Sequence, residues 1–150
     1  MKYGQFFPFV VEDDDRYARI LMRAFHGAGV PNGNVRRYRD GEGALADLFT
    51  TDVVHPSAVV LDVELPGMSG FEILQRIRSW GPLVNLPAFV LTGSENADHV
   101  ASARALRVRG YWRKPWNVSE LHQIVEAMLT IVEEPGRAVR LPRSMIHPER

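Results

Sequence analysis

The chain of 150 residues contains no cysteine. It can therefore form no disulfide bond, no thiolate metal site and no cysteine nucleophile. Lys and Arg together number 18, as do Asp and Glu, so no net charge favours nucleic acid or a membrane surface as a partner. No apolar run approaches the roughly 18–20 residues that a spanning helix needs. The first residues turn acidic after a short apolar patch, unlike a signal peptide, and we expect a cytoplasmic protein.

Five short apolar runs each end in a polar cluster and are followed by a helical pattern. They predict strands over residues 6–11, 35–38, 58–61, 88–91 and 110–113. Strands that alternate with helices form a parallel sheet, because each crossover helix returns the chain to the same edge. The sequence therefore predicts an α/β domain with helices on both faces of one sheet.

The helical segments differ in how strongly they are marked. Asp14 and Asp15 suit the first turn of the first helix, while Asp40 and Asn117 are placed to cap two later ones. Residues 97–106 are Ala-rich and only weakly apolar, so we expect an exposed helix there. The last helix has the clearest amphipathic stripe, formed by Val118, Leu121, Val125, Met128 and Val132.

The end of the chain differs in composition from the rest. With 45% hydrophobic and 24% charged residues, the sequence is typical of a globular protein of one domain. After Glu134 it becomes basic and is punctuated by proline, with no periodic pattern. We therefore predict one domain over residues 1–134 and an extended or disordered tail over residues 135–150.

The predicted strand Ala58–Leu61 runs directly into Asp62, and turn residues follow at Pro66 and Gly67. Such a short apolar run is typical of a strand buried on both faces. Asp62 then lies at the carboxyl end of a core strand, where open α/β sheets bind their ligands. An isolated Asp at this place would more simply cap a turn or a helix. The other strand ends argue against that interpretation, because they supply partners for a carboxylate.

Four strand ends bring chemically matched side chains to the same edge of the predicted sheet: Glu12 and Asp13, Asp62, Thr92, and Lys114. Two close carboxylates repel by about 4 kcal/mol at an effective dielectric near 20, so the cluster needs cations. Lys114 is one, and oxygen ligands without His or Cys suit Mg²⁺. A carboxylate beside a metal ion and a lysine is a plausible nucleophile toward phosphorus.

Four segments together resemble the signature segments of the receiver domain of two-component response regulators: VVEDDDRYARIL, VVLDVELPGMSGFEIL, FVLTGSEN and GYWRKPW. The resemblance covers residues 6–132. It implies a CheY-like, flavodoxin-like fold, a doubly wound three-layer α/β/α arrangement of five helices and five parallel strands in the order 2-1-3-4-5. It also implies a phospho-acceptor domain that signals through a changed surface and is not an enzyme in the ordinary sense.

The resemblance also implies roles for individual residues. Asp62 would accept a phosphoryl group from a sensor histidine kinase. Asp13 and Asp62 would ligate Mg²⁺ together with the backbone carbonyl of Glu64, and Glu12 would act in the outer shell. Lys114 would pair with Asp62 and later with the phosphate, and the peptide bond that follows it would be cis.

Thr92 and Tyr111 would form the switch pair of such a domain. The threonine hydroxyl would move toward the phosphate, and the tyrosine ring would turn inward behind it. Glu64 and Ser94 match the variable positions that tune the lifetime of the phosphate in this family. Arg107 departs from the family pattern, because it occupies a turn position that glycine adopts most easily.

The stretches ALRVRGY and PNGNV, in a chain without an output domain, resemble stand-alone receivers that accompany bacterial and cyanobacterial phytochromes. This implies a phytochrome-type histidine kinase as partner. A stand-alone receiver has only its surface as output, so we predict a homodimer through residues 97–106, the fifth strand and the last helix. Val108, Tyr111 and Trp116 would supply its apolar contacts.

Two alternatives remain open at this stage. A phosphatase with an aspartyl nucleophile would carry a second Asp two residues on and place the pair after its first strand. Here residue 64 is Glu and Asp62 follows the third strand. An interaction module that is never phosphorylated would not need the full set of Asp13, Asp62, Thr92 and Lys114.

Overall fold

Five parallel strands form the centre of the molecule, for which a computed structural model describes residues 1–50, 55–115 and 117–139. The strands are β1 (Pro8–Val11), β2 (Arg36–Tyr38), β3 (Ala58–Leu61), β4 (Ala88–Thr92) and β5 (Gly110–Arg113). They pair in parallel in the order β2-β1-β3-β4-β5. The predicted fold class and strand order are confirmed.

Five helices connect and cover the strands: α1 (Asp15–Gly27), α2 (Gly41–Leu48), α3 (Gly70–Ser79), α4 (Ala97–Ala105) and α5 (Val118–Glu133). Two short 3₁₀ turns lie at Asn32–Asn34 and Gly81–Leu83. The predicted caps are confirmed, because the Asp14, Asp40 and Asn117 side chains accept backbone hydrogen bonds at the starts of α1, α2 and α5. Within the described residues, no helix is both long and apolar enough to cross a membrane.

The sheet separates two apolar cores, because successive side chains of a strand point to opposite faces. On β3, Val59 and Leu61 face the core shared with α2, α3 and α4, whereas Ala58 and Val60 face α1 and α5. All four residues are buried, as the apolar run predicts. Asp62 is therefore the first polar residue after this buried strand.

Helix α5 differs from the predicted stripe. Val118, at its start, is 66% exposed, whereas Ile124 and Leu129, absent from the predicted stripe, are fully buried. Helix α4 is largely exposed, as predicted, and buries Ala103, whereas Ala101 is exposed. Small alanine side chains produce so weak a periodicity that packing decides which face turns inward.

The turn between α4 and β5 has the unusual shape that Arg107 predicts. Arg107 has φ 57°, in the left-handed region that disfavours residues with a Cβ. Arg78 on α3 holds this turn, because its guanidinium donates to the carbonyl oxygens of Leu106 at 2.9 Å and Leu86 at 2.6 Å.

The predicted tail falls mostly outside the described residues, which end at Val139. Helix α5 ends at Glu133, one residue before the predicted boundary. Val139 packs against the core between the sheet, α1 and α5. The boundary itself stays a prediction.

Candidate functional site

Asp62 follows the last residue of β3 and is only 6% exposed. Its Oδ1 accepts a hydrogen bond from the Glu64 backbone N–H at 3.0 Å. Gly70 lets α3 begin directly behind it, since a Cβ at this position would overlap the Asp62 carbonyl oxygen. The buried Asp62 carboxylate is thus held by the Glu64 N–H, and the Asp62 backbone packs directly against the start of α3.

Lys114 follows β5 and reaches across the carboxyl edge of the sheet. Its Nζ lies 2.8 Å from Oδ2 of Asp62 and 2.5 Å from Oε1 of Glu12. The Lys114 backbone N–H donates to the Thr92 carbonyl at 2.8 Å, which ties this residue to the end of β4. The bond to Pro115 is not cis, contrary to the implied geometry. Trans is the form that X–Pro bonds favour by about 0.5–1 kcal/mol.

Burial and mutual contact determine the pKa shifts of Glu12 and Lys114. Glu12 is 3% exposed, and burial raises its pKa above the ordinary value against the opposing pull of Lys114. For Lys114, burial alone would lower the pKa, but hydrogen bonds to Asp62 and Glu12 outweigh it and raise the pKa. Lys114 therefore keeps its positive charge between the two carboxylates at neutral pH.

Asp13, a predicted metal ligand, lies at the surface, as does Glu64. Among the described residues, the Asp13 carboxylate forms no hydrogen bond or ion pair, and no three His, Cys, Asp or Glu side chains lie together as a metal site. The implied ligand set has two carboxylate side chains and one backbone carbonyl, so it does not need a cluster of three such side chains. Asp13, Asp62 and the Glu64 carbonyl offer only hard oxygen atoms, which fit Mg²⁺ rather than a softer metal ion.

Thr92 and Tyr111 are both fully buried. The Thr92 hydroxyl oxygen accepts a hydrogen bond from the Ser94 N–H at 3.1 Å. The Tyr111 ring already lies inside the protein, and its hydroxyl has no hydrogen-bond partner among the described residues. The expectation that Tyr111 and Val108 supply exposed contacts is therefore wrong, since Val108 is only 9% exposed. Trp116 lies outside the described residues.

Two residues of the site were not predicted from the sequence. The Tyr17 ring lies 4.7 Å from Nζ of Lys114, and burial together with Glu12 and Asp62 raises the pKa of its hydroxyl. Arg37, the middle residue of β2, donates from Nε to the Glu12 carbonyl at 2.8 Å. Tyr17 belongs to an ordinary helical stripe and Arg37 to a run of arginines, so neither residue carried a distinguishing signal.

A cavity of about 510 Å³ opens beside Lys114, between the start of α1, the end of β5 and the start of α5. Apolar atoms dominate its walls, to which Tyr17, Pro115, Val118 and Leu121 contribute. The cavity therefore opens on the Lys114 side of the site, and Asp62 and Glu12 do not line it.

A family model described as the response regulator receiver domain matches residues 9–126. The chain therefore belongs to the family of response regulator receiver domains. It is 34% identical over 125 residues to the probable methanogenesis regulatory protein FilR2 of Methanothrix harundinacea (strain 6Ac), with 79% of this chain and 80% of the relative covered. It also matches the DNA-binding transcriptional regulator NtrC of Salmonella typhimurium (strain LT2), at 29% identity, but spans only 25% of that protein's length.

Among solved structures, the phosphorylated cyanobacterial phytochrome response regulator RcpA is similar, with a TM-score of 0.76 and 31% identity. That match covers 87% of this chain and 95% of RcpA. The Mn²⁺-bound form of response regulator Rcp1 has a TM-score of 0.73 and 28% identity, with coverages of 90% and 97%.

Membership of this family defines the general activity. Receiver domains take part in two-component signalling, where a histidine kinase phosphorylates an aspartate, and Mg²⁺ is general to the family. The chain is therefore a signalling phospho-acceptor domain and not an enzyme in the ordinary sense.

Proposed function

We propose that Asp62 is the residue that accepts the phosphoryl group. The observation that carries this proposal is the contact between its buried carboxylate and the Lys114 ammonium, 2.8 Å apart at the carboxyl edge of the sheet. In the transfer, a carboxylate oxygen of Asp62 forms a bond to phosphorus, and the bond between phosphorus and the kinase histidine breaks. Asp62 directly follows β3, whose four residues are all buried, and this strand exit holds its carboxylate in place for in-line attack.

Asp13, Asp62 and the backbone carbonyl of Glu64 would hold Mg²⁺, with Glu12 in the outer shell. The support is chemical, since these residues offer oxygen atoms alone. The metal ion would supply positive charge to the oxygens of the transferring group. Glu12 has a separate task in this proposal, because its bond to Lys114 keeps the ammonium turned toward Asp62.

Lys114 and Thr92 would promote both the phosphorylation of Asp62 and its later hydrolysis. Lys114 is charged and close enough to pair with a phosphoryl oxygen after the transfer. The Thr92 hydroxyl, now engaged by Ser94, would donate to another phosphoryl oxygen once the loop moves.

Thr92 and Tyr111 would then act as the switch pair, with one change from the expected order. The Tyr111 ring is already inside, so phosphorylation would stabilise the inward conformer instead of creating it. A buried hydroxyl without a partner costs about 1–3 kcal/mol, which leaves an outward conformer accessible before phosphorylation. Partner binding by phosphorylated Thr92→Ala, Tyr111→Ala and the double variant tests the coupling. Simply additive losses would contradict it.

The phosphoryl donor in this proposal is a sensor histidine kinase, of the phytochrome type because of the similarity to RcpA. Such kinases draw on ATP, so the transfer would take place in the cytoplasm. We propose no direct contact with nucleic acid, in line with the equal numbers of acidic and basic residues. Residues 1–134 would form the receiver and residues 135–150 a tail.

We also propose a homodimer through α4, β5 and α5. Its contacts must come from exposed residues of these elements, because Tyr111 and Val108 are buried. Val118, at 66% exposure, is one apolar candidate. Sedimentation that finds only monomer at high micromolar concentration, with and without a phosphoryl mimic, would refute the dimer.

Incorporation of phosphate from acetyl phosphate tests the function. We expect Mg²⁺-dependent labelling that is abolished in Asp62→Asn and strongly weakened in Asp13→Asn. The matched control is Asp14→Asn, which removes a neighbouring charge but keeps a good helix cap, and it should be labelled like the wild type. Lys114→Ala should retain some labelling but fail to bind a partner. Labelling that survives Asp62→Asn would place the acceptor elsewhere.

A further inference from the structure

Tyr17, in the first turn of α1, presents its ring to the lysine of the site. The Lys114 Nζ lies over this ring, 4.7 Å from its centroid. The same Nζ contacts the carboxylate oxygens of Glu12 and Asp62 at 2.5 Å and 2.8 Å. The ammonium group of Lys114 is therefore held by two carboxylates and one aromatic face.

The position of the ring is set by the start of α1. The Tyr17 backbone N–H donates to Oδ1 of Asp14, the cap of this helix, at 3.2 Å. The ring packs against the core between the sheet, α1 and α5, and it lines the cavity beside Lys114. Because both its backbone and its ring are held, Tyr17 is a fixed partner for the flexible side chain of Lys114.

The hydroxyl group of Tyr17 does not explain this placement. It is buried and has no hydrogen-bond partner among the described residues, which destabilises the folded protein. Burial and the charges of Glu12 and Asp62 raise the pKa of this hydroxyl, so it stays neutral and offers Lys114 no negative charge. What Tyr17 offers Lys114 is the face of its ring, whose quadrupole attracts a cation.

We propose that Tyr17 is a positioning residue whose ring holds the Lys114 ammonium in place for phosphoryl transfer, an inference that rests on the proposed phosphorylation of Asp62. A lysine side chain is flexible, and its ammonium group must lie where charge develops on the transferring group. In the transfer, an Asp62 oxygen bonds to phosphorus and loses its negative charge, which weakens its attraction for Lys114. The ring keeps its attraction throughout, because its quadrupole does not change in the reaction.

Substitutions of Tyr17 separate the ring from the hydroxyl. Tyr17→Leu removes the aromatic face, and we expect it to be labelled by acetyl phosphate and Mg²⁺ about three- to tenfold more slowly than the wild type. Tyr17→Phe removes the hydroxyl alone, so it should be labelled within about twofold of the wild type and unfold at the same or a higher temperature. In this labelling, an Asp62 oxygen bonds to phosphorus, the bond between phosphorus and the acetate oxygen breaks, and acetate leaves.

Fluorinated phenylalanines in place of Tyr17 test the electrostatic attraction with little change in packing. Each added fluorine atom withdraws electron density from the ring face and weakens its attraction for a cation, while the shape of the ring stays nearly the same. The rate of labelling should therefore fall stepwise as fluorine atoms are added. A ring that only fills space would give one rate throughout the series.

Lys114→Ala supplies the decisive background, because it removes the ammonium group through which the ring acts. In Lys114→Ala, the further change Tyr17→Leu should not slow the residual labelling. The matched control is Ile20→Ala, which should be labelled like the wild type, since Ile20 lies further along α1 and lines the same cavity but has no ring. Thermal unfolding checks the folding of each variant, and Tyr17→Met replaces Tyr17→Leu if the latter does not fold.

The contrary results overturn the inference, each in a different way. An unchanged rate in Tyr17→Leu would leave the ring without a role, and equal slowing by Tyr17→Phe and Tyr17→Leu would assign the effect to the hydroxyl. Slowing by Tyr17→Leu that persists in Lys114→Ala, or a rate that does not depend on fluorine, would assign it to packing. A wild type that takes up no label at Asp62 would overturn the proposed function as well, whereas normal labelling of the wild type with any of the first results leaves that function standing.

Discussion

Helices α4 and α5 flank the same strand, β5, yet they are attached to the protein in different ways. Helix α5 buries six residues: Leu121, Ile124, Val125, Ala127, Met128 and Leu129. Helix α4 buries Ala103 alone. One helix is held along its whole length by apolar contacts, whereas the other has almost no apolar face to hold it.

Helix α4 is held at its two ends by polar side chains instead. Near its start, His99 bonds to Ser94 of the preceding loop. Beyond its end, Arg78 donates to the carbonyl of Leu106. An element with few buried apolar contacts opens or reorients at a lower free-energy cost than one with many. We therefore infer that a change at Asp62 can reorient α4 but cannot reorient α5.

The largest expected effect concerns α5. Ile124 is fully buried, and Ile124→Ala should lower the free energy of unfolding by about 2–5 kcal/mol because it leaves a cavity in the core. Val100→Ala in α4 should cost at most about 1 kcal/mol, since Val100 is only half-buried. Urea unfolding measures both, with the exposed Gln123→Ala as control. Equal losses in the free energy of unfolding for the two variants would contradict the claim that α5 is held more firmly than α4.

A smaller effect is expected where α4 ends. Arg78→Ala removes the donor from the Leu106 and Leu86 carbonyls, and we expect a loss of about 1–3 kcal/mol in the free energy of unfolding. Arg76→Ala on the same helix is the control, because Arg76 is exposed and makes no hydrogen bond or ion pair with the described residues. If both variants unfold at the same urea concentration, Arg78 does not anchor the turn.

The smallest effect is a gain in stability at Arg107. Its left-handed backbone costs about 1–2 kcal/mol for a residue with a Cβ, and glycine relieves this at about 0.5–1 kcal/mol of extra chain entropy. Arg107→Gly should therefore raise the free energy of unfolding by up to about 1 kcal/mol. Arg109→Gly, at an exposed position without positive φ, should lower it instead. A lower free energy of unfolding in Arg107→Gly would mean that the Arg107 side chain stabilises the turn by more than the strained backbone costs.

The sequence predicted the sheet and the position of Asp62 because both depend on strong local signals. An apolar run of four residues that stops at an acidic residue needs no tertiary information to be recognised. The meeting of Asp62 with Lys114 follows from the rule that parallel strands end at one edge. The cis peptide bond, by contrast, was implied by resemblance alone and is absent among the described residues.

The rest of the site depends on distances between side chains that are remote in the chain. His99 has no metal-ligand spacing and Arg78 lies in an amphipathic helix, so neither residue stands out in the sequence. The inward position of Tyr111 is likewise decided by packing beneath β5. Weak periodicity also hid the inner face of α4, where a single alanine is buried.

Amide hydrogen exchange with and without Mg²⁺ and beryllofluoride, a stable mimic of the phosphoryl group, tests the central claim most directly. A new charge-assisted hydrogen bond to Thr92 is worth about 1.5–3 kcal/mol, which corresponds to roughly a tenfold to hundredfold shift between conformers. We predict a change of about tenfold or more in the exchange of residues 97–105, less than about twofold in residues 121–129, and none in Asp62→Asn. Equal changes in α4 and α5, or a change that persists in Asp62→Asn, would contradict the account.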